Sequence, residues 1–282
     1  MRTLLIIAVF IAGAALAPTR SRDAGALHED GIAAHLQRRL SEAAAFYDQA
    51  LKIEPPAVPG ATDLATALRL APLLRTTAAE PFALRDAAAI VHPESGIIAY
   101  HFFFEDDIDF PDDNDPSDHE VVWVRPVNGS APRVWTYFHG RVLEAPRDAA
   151  HRGRPEVAVQ WGKHGLLPAA WERLSIIPKV HEIVDGVPIS LTTIPMKDYL
   201  SGSFDKLSAA GRRLPEHPIA QRLNWPRRFT GTRQDFMTFP GRVDPGQLLQ
   251  RRGSVLTSRF NSGTLNRWVV PFNFKPKIEW PE

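Results

Sequence analysis

Apolar and polar positions change their rhythm three times along this chain, and each change marks a different kind of structure. Between residues 29 and 54, Ala43, Phe46, Tyr47, Ala50, Leu51 and Ile53 recur at spacings of three and four until Pro55-Pro56 stops the pattern. That is the period of an amphipathic helix with a proline terminator, and it predicts two short helices here. Leu64, Leu68, Leu70 and Leu73 continue the helical spacing and predict a third. From Ala87 to Pro168 the pattern turns to short runs rich in valine, isoleucine and aromatics: Ile97 to Phe104, Val121 to Val127, Val134 to Phe138 and Val157 to Trp161. Turn segments such as Pro93-Glu94-Ser95-Gly96 and Asn128-Gly129-Ser130 bound them, as expected for antiparallel strands. After Pro168 the chain is irregular and proline-rich, with one helix predicted over Tyr199 to Arg213.

These rhythms predict an α+β protein: an antiparallel β-sandwich core, an N-terminal helical hairpin and an irregular C-terminal extension. The expected units are residues 29–76 for the hairpin region and 87–282 for the sandwich with its C-terminal segment. Residues 1–17 are set apart by a different pattern. Arg2 precedes an unbroken small or apolar run from Leu4 to Ala17, closed by Ala15-Leu16-Ala17 and followed by Pro18. One positive charge, a short apolar region and small-x-small residues are the marks of a signal peptide. The run is shorter than the roughly 20 residues of a spanning helix. It predicts export to a periplasm, cell surface or medium, with residues 4–17 either removed or kept as a membrane tether.

Composition narrows the function classes. The chain has 282 residues, 44% of them hydrophobic and 23% charged, which is ordinary globular usage. Cysteine is absent, excluding disulfides, thiol nucleophiles and thiolate metal sites. The net charge is +1, so no global field recruits nucleic acid, and none is expected as a partner. The charge is unevenly placed. From Lys206 to the end, fourteen Lys or Arg face five carboxylates, interleaved with aromatics too frequent for a disordered arm. Residues 105–120 hold nine carboxylates, Glu105, Asp106, Asp107, Asp109, Asp112, Asp113, Asp115, Asp118 and Glu120. So dense a cluster calls for compensating cations, either from the basic tail or from bound calcium or magnesium. The order of these residues is not that of an EF-hand loop.

The candidate chemistry lies at strand ends. In Asp118-His119-Glu120, alternation along a strand puts His119 with Val121 and Trp123 on one face, and Asp118 and Glu120 on the other. In Gly162-Lys163-His164-Gly165 the flanking glycines let the backbone turn sharply and present His164. Imidazole and carboxylate together suit a divalent-cation site or an acid-base pair. Asp118, His119, Glu120 and His164 are therefore the expected metal-site residues, with His164 as proton acceptor in a hydrolytic version. No Gly-x-Ser-x-Gly elbow, phosphate loop or dinucleotide fingerprint appears.

At these residues the chain resembles known groups. Asp118-His119-Glu120 with Trp123, followed by Arg154 to Gly165, resembles the vacuolar-protein-sorting-associated (Vps sixty-two type) family. It is also similar to a segment of the necrosis-inducing protein family, a β-sandwich with a bound divalent cation. The resemblance covers roughly residues 97–168 and implies a sandwich with a cation at its strand ends. Where those families have carboxylates beside the tryptophan, this chain has Val122 and Val124. Gly31, Ala43, Tyr47, Ala50 and Pro55 match the spacing of one tetratricopeptide repeat, without a second copy. Two functions stay open: a polar or cation-bearing site for surface recognition or hydrolysis, and a cell-envelope interaction protein using its hairpin. The expected partner is a protein or a small-molecule ligand.

Overall fold

The computed structural model describes residues 23–78, 80–108, 117–128, 130–149, 153–177, 183–184, 187–188, 192–213, 216, 221 and 232–281. The apolar run 4–17 and Asp109, Asp112, Asp113 and Asp115 of the acidic segment lie outside them.

Helix α1 (Ala24–Leu36) starts where the carboxylate of Asp23 accepts from the Ala26 N–H at 2.8 Å, so the first turn begins before the periodicity alone predicts. Helix α2 (Leu40–Ile53) buries Ala43, Tyr47 and Ala50, one stripe at i, i+4 and i+7. Gly31 of α1 makes this pairing close, because a Cβ there would sit 2.6 Å from the Tyr47 ring. Helix α3 (Ala61–Leu70) ends earlier than the leucine spacing suggests. Leu73 belongs instead to strand β1 (Leu73–Arg75), which pairs in parallel with β7 (Glu156–Val159).

The main sheet has six strands. The strand Val255–Thr257 lies at one edge, followed by β2 (Leu84–Val91), β3 (Ile98–Phe104), β4 (Asp118–Val127), β5 (Ser130–Phe138) and β6 (Arg141–Glu144). Pairing from β2 to β6 is antiparallel, and the edge strand joins β2 in parallel. Positive φ angles close the hairpins: Gly96 between β2 and β3, and His139-Gly140 at φ 46° and 81° between β5 and β6. Two consecutive positive φ values make the last a tight primed turn whose twist matches its strands.

Each face of the sheet has its own cover. On one face Tyr100, Phe102, Phe104, Val122 and Val124 pack against Leu74, Val157, Val159 and Leu166 of the three-stranded sheet β1-β7-β8, where β8 is Leu166–Leu167. This is the sandwich. On the other face Ala88, Ile90 and Phe103 pack against Ala34, Ala43 and Tyr47 of the hairpin, and against Leu265, Val269 and Phe274 from the C-terminal segment. Helix α4 (Met196–Arg213) buries Met196, Leu200 and Leu207 against Phe138, Trp161 and Trp171. Among the described residues no helix is long and apolar enough to cross a membrane.

The hairpin groove that would hold a foreign peptide in a tetratricopeptide module is filled by the chain itself. The short helix Asn261–Thr264 lies against α1 and α2. The Gly263 N–H donates to His28 Nε2 at 3.1 Å, and His28 stacks on Phe260 with ring centroids 4.5 Å apart. The forked Arg259–Glu54 pair ties the rim, so the hairpin caps the sheet together with the tail.

Candidate functional site

The strand ends predicted to carry chemistry are where the buried charges gather. Gly162 (φ 62°) and His164 (φ 51°) both take the left-handed conformation, so the loop turns twice within three residues. Gly165 lies so close to β5 that a Cβ would meet the Phe138 ring at 2.9 Å. The loop is pinned from outside its own strands. Glu80 accepts from the Gly162 N–H at 3.1 Å, and Gly162 O accepts from the Ile108 N–H at 2.7 Å.

This geometry drives the His164 ring inward, fully buried and stacked face to face on Phe104 with centroids 3.9 Å apart. Its Nδ1 meets Asp118 Oδ2 at 2.8 Å and its Nε2 meets Glu80 Oε1 at 3.0 Å. Burial alone would push the imidazolium down, but the two carboxylates outweigh it and raise the pKa to about 10. Burial likewise opposes ionisation of Asp118, while His164, together with Lys277 and Lys163, holds its carboxyl below the ordinary value. The result is a carboxylate–imidazolium–carboxylate row inside the sandwich. Beside it Lys163 pairs with Asp107. Burial pushes Glu120 up to about 8, with Lys277 at 3.9 Å opposing the rise, so Glu120 is largely protonated near neutral pH.

His119 does not join this row. It projects from the opposite face of β4, where it stacks on His101 and Phe103. Its Nε2 lies 2.9 Å from His101 Nδ1, and His101 Nε2 lies 2.7 Å from Asn261 Oδ1. The Asn261 amide nitrogen donates to Glu279 O, so its oxygen faces His101. His101 then donates from Nε2 and accepts at Nδ1, which makes His119 Nε2 a donor. His119 Nδ1 is left as a buried acceptor without a partner among the described residues. Burial pushes His101 down to about 3 and His119 well below its ordinary value, so both rings are neutral.

The sequence had placed Asp118, His119, Glu120 and His164 in one cation site, and the structure separates them. The sheet stands between His119 and the other three. Both nitrogens of His164 already face carboxylates, leaving no lone pair for a cation or for accepting a substrate proton. Glu120 is largely uncharged. Among the described residues no three His, Asp or Glu side chains are arranged to hold a metal ion. The donor set therefore does not fit the divalent cation that the family resemblance implies.

What the strand ends do frame is a cleft. It has a volume of about 580 Å³ and lies between the β5–β6 turn, the Gly162–Gly165 loop, α4 and the C-terminal segment. Its lining includes Tyr137, Arg141, Lys163, Tyr199, Lys206 and Lys275. His139 Nε2 and Gln160 Oε1 are 2.5 Å apart, and Gln160 passes the chain on to Ser203 Oγ at 3.4 Å. Burial pushes His139 down to about 4, so it adds no charge near neutral pH. Lys163 came with the His164 motif in the sequence, whereas Tyr199, Ser203 and Lys206 were missed. Their i, i+4, i+7 spacing on a predicted helix was the available signal. Lys275 had none.

Comparison of the chain with protein-family models, with curated proteins and with solved structures gives no significant match. The likeness to the two families named above rests on its short motifs alone.

Proposed function

We propose that this chain is an exported recognition protein that binds a polar ligand in the strand-end cleft. One observation carries the reading: the cleft is built against an ionic frame that is fixed before any ligand arrives. Glu80, His164 and Asp118 lock the Gly162–Gly165 loop, and the Lys163–Asp107 pair links that frame to the cleft wall. A pre-organised polar wall lowers the ordering cost of binding. The volume falls within the roughly 300–1,000 Å³ of small-molecule sites.

Recognition is favoured over hydrolysis because His164, the expected proton acceptor, holds a proton on each nitrogen. Export rests on the run Leu4–Ala17 and is tested by fractionating cells that express the full chain. The cleft is tested by screening the full chain against neutral and charged polar small molecules by thermal shift, beside Ser203→Trp, which fills the cleft from a half-buried position on α4. Hits on the unmodified protein that vanish in Ser203→Trp support the reading. Hits that persist in it, or a screen with none, overturn it.

A further inference from the structure

The lining of this cleft says more about its occupant than its size does. Arg141, Lys163, Lys206 and Lys275 reach it from four parts of the chain: β6, the Gly162–Gly165 loop, α4 and the C-terminal segment. Among the described residues no carboxylate lines it. Of the four cations, Lys163 is matched by Asp107 just outside the wall. Arg141 spends its guanidinium N–H groups on the carbonyls of Ile177 and His139, which satisfies donors without cancelling charge. Lys206 and Lys275 form no ion pair among the described residues and are exposed. Three positive charges therefore converge on one concavity without a counter-charge among the described residues, in a chain whose net charge is only +1.

Like charges brought together repel one another and weaken the fold unless something answers them. A single carboxylate would leave two of the three unanswered. A phosphate monoester carries a charge of roughly −1.5 to −2 at neutral pH and three acceptor oxygens, suited to donors arriving from several directions. The remaining surface suits an uncharged, hydroxyl-bearing body: the ring of Tyr199, the hydroxyls of Tyr137 and Tyr199, the Ser203 hydroxyl and the Gln160 amide, while Lys277 lies over the Tyr137 ring at 4.2 Å.

Accepting the cleft as the binding site, we propose that it takes a phosphate monoester on a sugar-sized body, with Arg141, Lys206 and Lys275 around the phosphoryl group and Tyr199 against the ring. No bond is made or broken. Charge complementarity of this kind makes affinity fall with ionic strength, because Lys206 and Lys275 face solvent.

The probes are glucose 6-phosphate, glucose and inorganic phosphate, titrated calorimetrically into the full chain at low and high salt. The variants are Lys206→Ala combined with Lys275→Ala, which removes two exposed cations without touching the core, and Tyr199→Ala. The expected result is that glucose 6-phosphate binds at least about tenfold more tightly than glucose, and that the double lysine variant weakens it by about tenfold or more. Inorganic phosphate should bind more weakly than glucose 6-phosphate, and high salt should weaken both. Equal binding of glucose and glucose 6-phosphate, lost in Tyr199→Ala but kept in the double lysine variant, overturns the phosphate assignment and leaves the cleft standing. Glucose 6-phosphate binding that neither variant changes lies outside the cleft and overturns the proposal, as does the absence of any binding.

Discussion

Replacing His164 with Asn tests the buried charge row directly. Asn tolerates the left-handed backbone at φ 51° and carries no charge, so the substitution isolates the imidazolium from backbone strain. It leaves the Glu80 and Asp118 carboxylates, 9% and 17% exposed at their side chains, facing a neutral group. Removing one partner of a buried ion pair costs about 3–5 kcal/mol. A second route gives a similar figure. Raising the pKa from 6.5 to about 10 corresponds to roughly 5 kcal/mol at 1.36 kcal/mol per pKa unit. For a chain this size that is a fall in Tm on the order of 10 °C.

The pH dependence follows from the same shift. Because the folded pKa lies above the unfolded one, the imidazolium's contribution is complete below about 6.5 and disappears as pH rises through about 10. The gap between unmodified protein and variant should therefore be widest near pH 6 and narrow steadily toward pH 10. The assay is urea unfolding of both proteins across that range. It includes a triple variant, Glu80→Gln with Asp118→Asn and His164→Asn, in which no charge is stranded. The triple variant should recover much of the loss, keeping only the cost of the lost stacking on Phe104. A His164→Asn cost below about 1 kcal/mol, or a triple variant no more stable than the single one, would refute the charge row as an energetic element.

Three further outcomes are expected. Because His101 and His119 titrate below 6.5 in the folded state, stability should fall as pH drops below about 6.5, and His119→Phe should reduce that slope by up to about 1.4 kcal/mol per pH unit in urea titrations; an unchanged slope refutes this. Burial holds Glu120 near 8, so its carboxyl disfavours folding increasingly from about pH 4.5 upward. Glu120→Gln should be at least as stable as the unmodified protein at pH 7, with the advantage growing toward pH 8, and a Tm loss there would count against a neutral Glu120. Gly31→Ala places a methyl group 2.6 Å from the Tyr47 ring, costing about 1–3 kcal/mol by overpacking against a helix-propensity gain of about 1 kcal/mol, so a net loss is expected by thermal unfolding and a net gain would show a looser hairpin.

Strands β3, β4 and β5 were legible because Ile98 to Phe104, Val121 to Val127 and Val134 to Phe138 carry the β-branched and aromatic residues that fit a pleated, half-buried surface. Strand β2 escaped notice. Its centre, Ala87-Ala88-Ala89, has no strand preference of its own, and packing decides it: Ala88 lies under the helical hairpin while Ala87 and Ala89 face the sandwich core. Small residues let both layers approach. The short strands β1 and Val255–Thr257 join by parallel pairing to segments far away in the chain, which no local pattern announces. At the site, the glycines around His164 marked the turn, but Glu80 lies 84 residues upstream in a stretch without periodicity.

The two histidines differ by environment, not by motif. His119 and His164 were grouped by residue type and by motif order, yet one ring is neutral and the other is an imidazolium. Both are buried, so burial disfavours the charge on each, and the difference comes from what faces them. His164 meets two carboxylates, Asp118 from β4 and Glu80 from the segment before β2. His119 meets a second imidazole, whose far nitrogen is fixed by Asn261 from the C-terminal segment. Alternation along β4 had already put Asp118 and His119 on opposite faces, so a single site containing both conflicted with the strand on which they were placed. The motif therefore marks a strand that links two layers, charged on the sandwich side and neutral on the side of the hairpin and tail. Glu80 and Asn261, distant in sequence from the motif, decide which histidine keeps its proton.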